Sequence, residues 1–589
     1  MKIQKSWIIL SLLSLTLSAC SFFNTDKETV TKEIFVYDLD NVKKGGPIAN
    51  GYQDTLTALF VKNQKCVPYI SLSQYASLYA THFAGNVVSK VETVSFTIDW
   101  TVTINDEYVF MSEIDLLSHC VVIAGNLDSY YKSDDNPIDT KALMDSMDST
   151  YEIVEPGGYY ATYYYGDYDI YYFKKGKEWY FPLAFFDLTY CYDSSIYYFY
   201  NYSAIYSTKD VDNFADKEFI KDGRTYTVDS QMENQAMYPE MPSYLINHNA
   251  SMFLYLMDNF YGLKEYKGIE SIVKYYKDRD IYKGLYSTRA SIRAQAYADA
   301  LDVFDDNHTA LVSVNKTWGE DNYITRRLSS GISSRTALRG RLYSKREAYY
   351  REYFTGASIK PGEGIVYSQD GKTAMYMFNN FYFASSDIFD GGDLKALYDA
   401  DTFLNLIQIF ETIKTKGGVE NIILDISTNG GGVVGVMMKI LSLISKDNYS
   451  DFCYKDGATN QIISAACKVD SNHDGVYDVS DCYGNDFNFY ILTSDCSFSC
   501  GNAFPCIAQA SGMAKIIGQK SGGGECAVAI HYLPNSQYVY HSSHLHLGNY
   551  DKDNNVFNGF EDGTTPDIEI ADENDFYDIE KLNNLILQA

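Results

Sequence analysis

The sequence predicts an α/β protein with a βα-layered carboxy-terminal domain, preceded by a helical segment and, before that, a β-rich region. Three observations predict this. From 374 onward, apolar strand-like runs alternate with helical stretches. Between about 240 and 306, apolar residues recur at helical spacing, as in Met252, Leu254, Met257 and Phe260 and again in Ile292, Ala296 and Ala300. From 31 to 235, apolar and polar residues alternate under frequent Gly, Asn and Asp punctuation, as in Thr93-Val94-Ser95-Phe96-Thr97-Ile98. With 589 residues, 46% of them hydrophobic, the chain is long enough for two or three packed cores.

Residues 1-20 place Lys2 and Lys5 before an apolar run, Ile8 to Leu17, that ends in Leu17-Ser18-Ala19-Cys20. The run is too short to span a bilayer and has the layout of an export signal. Its ending resembles a bacterial lipobox, which implies that Cys20 becomes the lipidated first residue of the mature protein. Ser21 in the next position then implies outer-membrane sorting if the cell has two membranes. The expected location is therefore extracytoplasmic, lipid-anchored at an outer membrane or cell surface. No other apolar run in the sequence is long and clean enough to cross a membrane. Ten further cysteines make disulfides permissible in that compartment, but they form no CxxC pair.

Residues 21-30 read as a tether and 31-235 as the β-rich domain. Within it, 158-206 is dense in tyrosine. Because 55 tyrosines are spread over the whole chain, strand propensity is the simpler reading, with an aromatic glycan- or peptide-binding face as the alternative. A helical cap segment follows over 240-315, its last helix starting after Ser287 or Thr288 and stopping in Phe304-Asp305-Asp306-Asn307-His308-Thr309. Residues 316-365 form an Arg-rich connector. In the core, 366-589, strands are expected near Ala374-Phe378, Ile422-Ile426, Phe489-Thr493 and Ile516-Gly518, and helices at 399-415, 433-445 and 501-511.

Lys plus Arg total 48 against 77 Asp plus Glu, a net charge of -29, which disfavours binding to nucleic acid or to an anionic membrane surface. The chemistry points elsewhere. The strand Tyr490-Ile491-Leu492-Thr493 runs into a small-residue turn carrying Ser497 and Ser499, a place for a nucleophile. Upstream, Ile422-Ile423-Leu424-Asp425-Ile426 leads to Asn429-Gly430-Gly431-Gly432 and an apolar helix, where backbone amides can hold an oxyanion.

Three segments, Asp425-Ile426-Ser427-Thr428-Asn429-Gly430-Gly431-Gly432, Ser497-Phe498-Ser499-Cys500-Gly501 and Ile516-Ile517-Gly518-Gln519-Lys520-Ser521-Gly522-Gly523-Gly524, resemble in order and spacing the tail-specific, or carboxy-terminal processing, serine peptidases. The resemblance covers roughly 240-575 and implies a crotonase-like βα superhelix as the core. It also implies Ser499 as nucleophile. Where the lysine-dyad branch of that family has its lysine, this chain has Gly524, with Lys515 and Lys520 out of register. The tricorn-like branch matches better: Asn307-His308-Thr309 implies His308 as general base, and Glu561-Asp562-Gly563-Thr564-Thr565-Pro566-Asp567 implies Glu561 as the carboxylate behind it. Asn307 stands where that branch has a serine. The backbone amides of Gly431 and Cys500 would complete the oxyanion hole. Such a site needs no cofactor for catalysis, because an imidazole near neutrality activates the hydroxyl and a carboxylate fixes its tautomer.

Two further features stand outside this constellation. Asp470 to Asp481 fits a calcium-loop template, with Asp470, Asn472, Asp474, the Val476 carbonyl, Asp478 and Asp481 at the ligand positions and Gly475 at the turn. Its expected role is structural, in an insertion over 467-482 flanked by Cys467 and Cys482. His541, His544 and His546 lie close together, but no carboxylate or cysteine falls in ligand register in the sequence, which argues against a metal there. The expected function is a serine endopeptidase acting on polypeptides through a Ser499 acyl-enzyme. The alternative is a catalytically inactive surface lipoprotein using the same fold to bind peptide or glycan.

Overall fold

Six strands of the carboxy-terminal part assemble into one sheet, ordered Val366–Tyr367, Thr373–Met377, Asn421–Asp425, Asn488–Thr493, Ala514–Gly518 and Ile568–Glu569. The structure is a computed structural model describing residues 27-38, 53-125 except 84, 147-190 except 159, 197-208 except 203, 218-221, 224-227, 240-313, 330-353, 364-384 and 400-588. Only the first strand pair is antiparallel. Parallel strands must be covered on both faces, and these are: every residue of Asn421–Asp425 is buried. Alternation divides them. Ile422, Leu424 and Ile491 face helices Thr402–Lys416, Val434–Ile444 and Cys500–Ala510 through Phe403, Leu441 and Phe504. Ile423, Leu492 and Ile517 face Leu582 and Ile586 of the closing helix, together with Leu342 and Tyr350. The strands and helices thus follow the expected alternation within one to three residues.

Strands Asn421–Asp425 and Asn488–Thr493 are direct parallel neighbours, with Asp425 opposite Leu492. The glycine turn and the serine turn therefore emerge side by side at the carboxyl ends of adjacent strands, the edge at which open α/β sheets place their ligands.

The amino-terminal half is β-rich as expected, with a seven-stranded sheet built from strands between 29 and 208 and a five-stranded antiparallel sheet between 87 and 164. Many of its tyrosines are core: Tyr75, Tyr79, Tyr165, Tyr198 and Tyr206 are fully buried, and Tyr75 packs edge-on against Trp100. The helices Ser243–Phe260 and Ala290–Asp302 share that same core through Phe253, Leu256 and Tyr297. The boundary expected near 235-240 is thus not a packing boundary. Long-range pairing also ties the halves together, since strand Met147–Glu155 pairs with Ile462–Val469, and Ala310–Ser313 pairs with Tyr538–Asp551.

The stretch read as an Arg-rich connector contains a 24-residue helix, Ser330–Tyr353. Its arginines disguised it, although one of them, Arg346, is buried. The signal segment, Cys20 and most of the tether lie outside the described residues. Among the described residues, no helix is long and apolar enough to cross a membrane.

Candidate active site

The serine turn separates its two serines by role. Ser497 is buried, and its Oγ donates to the Ile426 carbonyl at 2.8 Å and accepts from Ser494 N–H at 3.1 Å. It is a structural staple between the two turns. Ser499 is half-buried, with φ 57° and ψ −126°, and Gly501 N–H closes onto the Phe498 carbonyl at 2.9 Å. This is the first corner of a type II′ turn, a conformation that favours glycine and costs another residue roughly 1–3 kcal/mol. The corner is held by Ser499 N–H on the Gly523 carbonyl at 3.0 Å and by the Ser499 carbonyl, which starts the following helix by accepting from Asn502 and Ala503 at 2.8 Å each. Among the described residues, Ser499 Oγ makes no hydrogen bond.

The glycine turn lies directly against it. A Cβ on Gly431 would stand 2.7 Å from Ser499 Cβ and 3.0 Å from Ser499 Oγ, and one on Gly432 would stand 2.4 Å from the Phe381 carbonyl oxygen. With φ of +112° and +142°, these positions exclude side chains on two counts. Phe498 N–H donates to the Asn429 carbonyl at 3.0 Å and locks the turns together. The expected oxyanion donor Gly431 is already committed, since its N–H donates to Asn429 Oδ1 at 2.8 Å. Among the described residues, Cys500 N–H donates to no other residue, whereas the Gly432 backbone amide lies against the Cys500 sulfur. The amide left beside Ser499 is therefore that of Cys500, and in the glycine turn the next candidate after the committed Gly431 is Gly432.

His308 sits in the turn between helix Ala290–Asp302 and strand Ala310–Ser313. Its buried ring packs edge-on against Phe498, the neighbour of Ser499, with centroids 4.8 Å apart. Burial pushes its pKa below the ordinary value, against the opposing pull of Asp306, so the imidazole is held in its neutral, basic form. No hydrogen bond joins it to Ser499, and among the described residues its Nδ1 has no partner. The sequence reading missed Asp306, a buried carboxylate whose Oδ1 accepts from His308 N–H at 2.9 Å and whose Oδ2 accepts from Thr309 Oγ1 at 2.7 Å and Ser542 Oγ at 2.8 Å. Asp-x-His is also a turn-forming pattern, which is the signal that could have found it. Asn307 is exposed and does not join the site.

Glu561 is brought to the same place by a different route. Its Oε2 accepts from Gly524 N–H at 3.0 Å and Glu525 N–H at 2.9 Å, and its own N–H donates to Glu525 Oε2 at 2.8 Å. It braces the strand-turn that holds Ser499 N–H and is not bonded to His308. Burial raises its pKa to about 7, with Asp306 and Glu525 adding to the rise and the two amides opposing it. The segment is pinned by Asn502 Nδ2 on the Phe560 carbonyl at 2.8 Å, Ser521 Oγ on Asn502 Oδ1 at 2.7 Å and Thr564 N–H on Ser521 Oγ at 2.8 Å. A lysine at Gly524 has no room: a Cβ there would meet the Phe498 ring at 2.5 Å. Lys515 and Lys520 are exposed.

The helix Ser330–Tyr353 lies over these turns. Arg335 Nε reaches Asp495 Oδ2 at 3.2 Å, Arg339 donates to the Cys496 carbonyl at 3.4 Å, and buried Arg346 donates to Thr428 Oγ1. None of the three was expected to act at the site.

Two metal expectations meet the structure differently. In the 470-481 loop, Asp470 accepts from Asp474 and Gly475 N–H, Asn472 Oδ1 from Asp474 N–H, and Asp474 Oδ1 from Val476 N–H, the inward-facing arrangement of a cation loop. Asp481 departs from it. Fully buried, it accepts from Ser471 and Asn472 N–H through Oδ1 and from Asp478 N–H through Oδ2, so it closes the loop instead of offering two oxygens to an ion. Asp478 Oδ1 caps the adjoining turn at Ser480 N–H. Cys467 and Cys482 are free thiols. Among the three histidines, His546 does have ligand-type neighbours: Cys526 stands opposite it across the strand pair, and Glu525 Oε1 is 2.7 Å from its Nδ1. That overturns the expectation of no carboxylate or cysteine in register.

Residues 397–570 match the sequence model of peptidase family S41. That span contains the glycine turn, Ser499 and Glu561; His308 lies before it. Solved structures similar to this chain include a candidate peptidase from Parabacteroides merdae ATCC 43184, 17% identical over 58% of this chain and 96% of that one, with a TM-score of 0.40. Mature CPAF is 13% identical over 58% of this chain and 96% of that one, at a TM-score of 0.37. The photosystem II D1 C-terminal processing protease is 15% identical over 39% of this chain and 49% of its own, at 0.26. No curated protein matches the chain. The match over 397–570, with the serine and glycine turns inside it, makes the carboxy-terminal part of this chain similar to peptidase family S41.

Proposed function

We propose that the protein is a serine endopeptidase in which Ser499 attacks the scissile carbonyl, His308 takes its proton, and the amides of Cys500 and Gly432 hold the oxyanion. The observation that carries the reading is Ser499 held at a strained corner against Gly431, with a neutral imidazole packed on the adjacent Phe498. Neutral His308 is the form that accepts a proton, and bonds between nucleophile and base commonly close only when substrate is bound. Asp306 and Glu561 supply the negative charge that stabilises the imidazolium once formed. The substrate is polypeptide, and the lipobox-like ending at Cys20 supports a reaction outside the cytoplasm. The test is labelling by a fluorophosphonate probe, which needs an activated hydroxyl. Labelling of the intact protein that disappears in Ser499→Ala supports the peptidase; no labelling of the folded protein favours a peptide-binding module, the reading to which the open Ser499–His308 gap would then belong.

The Glu561 carboxyl gives a pH signature. Its folded pKa, about 7, lies above the ordinary 4.5. Its contribution to stability is therefore complete below pH 4.5 and lost as pH rises through 7. Glu561→Gln keeps the acceptor oxygen for Gly524 and Glu525 without the charge. It is expected to be more stable than the parent by about 3 kcal/mol at pH 8, with the difference vanishing near pH 4.5. Urea unfolding at the two pH values measures this, and a Glu561→Gln protein less stable at pH 8 would count against a destabilised carboxylate.

The 470-481 loop is proposed to hold Ca2+ through Asp470, Asn472, Asp474 and the Val476 carbonyl, with Asp478 completing the set and Asp481 as the loop clamp. Ca2+ at 100 times its Kd adds about 2.7 kcal/mol. Calcium is expected to raise the melting temperature of the parent but not of Asp474→Asn, and to leave peptide hydrolysis unchanged; equal response of both proteins would remove the loop as the site.

A further inference from the structure

Cys526 and His546 are register partners in the antiparallel pair Cys526–Tyr532 and Tyr538–Asp551, and Glu525 precedes the first of these strands. One ligand atom from each of Glu525, Cys526 and His546 lies within 4.8 Å of the other two. Cys526 Sγ is 3.6 Å from His546 Nδ1. Sulfur and nitrogen bound to one tetrahedral zinc stand about 3.5 Å apart, so the thiol and imidazole are already at ligand spacing. Glu525 Oε1, at 2.7 Å from Nδ1, is hydrogen-bonded to it. Putting a metal in place of that proton requires the oxygen to retreat by roughly 0.6 Å, a side-chain rotation.

The charge around the cluster supplies a second, independent argument. Asp306 and Glu525 are buried, and Glu561 is bonded to Glu525. Among the described residues no lysine or arginine pairs with any of the three; the side chain of basic type hydrogen-bonded to them is His546, on Glu525, and His308 reaches Asp306 through its backbone N–H. Buried carboxylates without a counter-charge are costly, and a divalent cation relieves that cost. There is also access. A cavity of about 550 Å³, lined by Glu525, His546, Glu561 and Tyr266 among others, opens on the cluster.

We propose that Glu525 Oε1, Cys526 Sγ and His546 Nδ1 bind one borderline transition-metal cation of the Zn2+ class, leaving a fourth position open to the cavity. The donor set selects the ion: a thiolate and an imidazole suit Zn2+ and disfavour Ca2+ and Mg2+. On binding, the Cys526 thiol releases its proton to solvent, the proton of neutral His546 passes from Nδ1 to Nε2 through solvent so that the imidazole stays neutral, and the metal forms one bond to each of the three atoms. Glu525 keeps its second oxygen on Glu561 N–H, so the ion ties the strand pair to the segment that carries Glu561.

The test is titration of the chelator-stripped full chain with Co2+, followed by displacement with Zn2+. One Co2+ per chain is expected, with a thiolate-to-cobalt charge-transfer band and the visible bands of tetrahedral cobalt. Cys526→Ser should lose the charge-transfer band and His546→Gln should bind at least about tenfold more weakly. Glu525→Gln, a milder change, should also weaken binding if either variant fails to fold. An Asp474→Asn background removes the acidic loop as a source of cobalt binding. Ser499→Ala should bind as the parent does, so the site stands or falls separately from the peptidase reading. A protein without a charge-transfer band, or with equal Co2+ affinity before and after Cys526→Ser, would show that the three groups are a hydrogen-bonded network and overturn the proposal.

Discussion

Replacing Ser499 with alanine is expected to lower kcat for hydrolysis of an unfolded protein by about 10⁶, because a nucleophile and its base act as one unit and removing either removes the acyl-enzyme route. His308→Ala should fall to nearly the same residual rate, and the double variant should be no worse than either alone. The residual rate then measures what the Cys500 and Gly432 amides and substrate binding contribute without a nucleophile. Ser497→Ala separates chemistry from architecture. Its Oγ bridges Ile426 and Ser494, so that variant should lose about 1 kcal/mol of stability yet keep most of its turnover. The backbone at Ser499 is strained with either side chain, so Ser499→Ala should fold as the parent does. Hydrolysis of a fluorescently quenched protein by purified parent and variants is the measurement. A Ser499→Ala protein with parental turnover would remove Ser499 from the mechanism.

What the sequence revealed and what it hid divide along physical lines. The strands leading to Asp425 and Thr493 were legible because fully buried parallel strands are continuous apolar runs, and the turns after them because glycine and serine stand where the chain reverses. Adjacent parallel pairing then brings Ser499 against Gly431. The helix Ser330–Tyr353 was hidden because arginine counts as surface in any pattern reading, whereas Arg346 is 2% exposed. Asp306 was hidden because its partners, Thr309 and Ser542, are separated from each other by more than two hundred residues. The Glu525, Cys526 and His546 cluster depends on strand register across a hairpin, which no periodicity reports. The shift of the candidate oxyanion donor from Gly431 to Gly432 turns on one side-chain bond from Asn429, a detail below the resolution of a motif.

Arg346→Ala is expected to destabilise the protein by about 3–5 kcal/mol, the usual result of removing one member of a buried charged group and leaving the other. The charge left behind is that of Asp425, fully buried at the end of the strand that leads into the glycine turn, which Arg346 offsets through space without a hydrogen bond to it. Burial already pushes the Asp425 pKa up, and the Arg346 charge is the main influence that opposes this. Without the guanidinium, Asp425 must either take up a proton or stay charged in the core. Packing contributes as well, because the guanidinium lies 4.7 Å from the centre of the Tyr343 ring and donates to Thr428 Oγ1. Arg346→Met restores much of the volume and none of the charge, so the difference between the alanine and methionine variants isolates packing. Asp425→Asn in the Arg346→Ala background should recover part of the loss, since the amide needs no counter-charge and still accepts from Ser427. The functional consequence follows from position. Thr428 and Asn429 set the turn that presses Gly431 against Ser499, so Arg346→Met should show a lower kcat even at temperatures where it is fully folded. Urea unfolding and turnover measured on the same preparations separate the two effects. A loss below about 1 kcal/mol in Arg346→Ala would mean that Asp425 is already neutral and that the helix over the site is held by its apolar side alone.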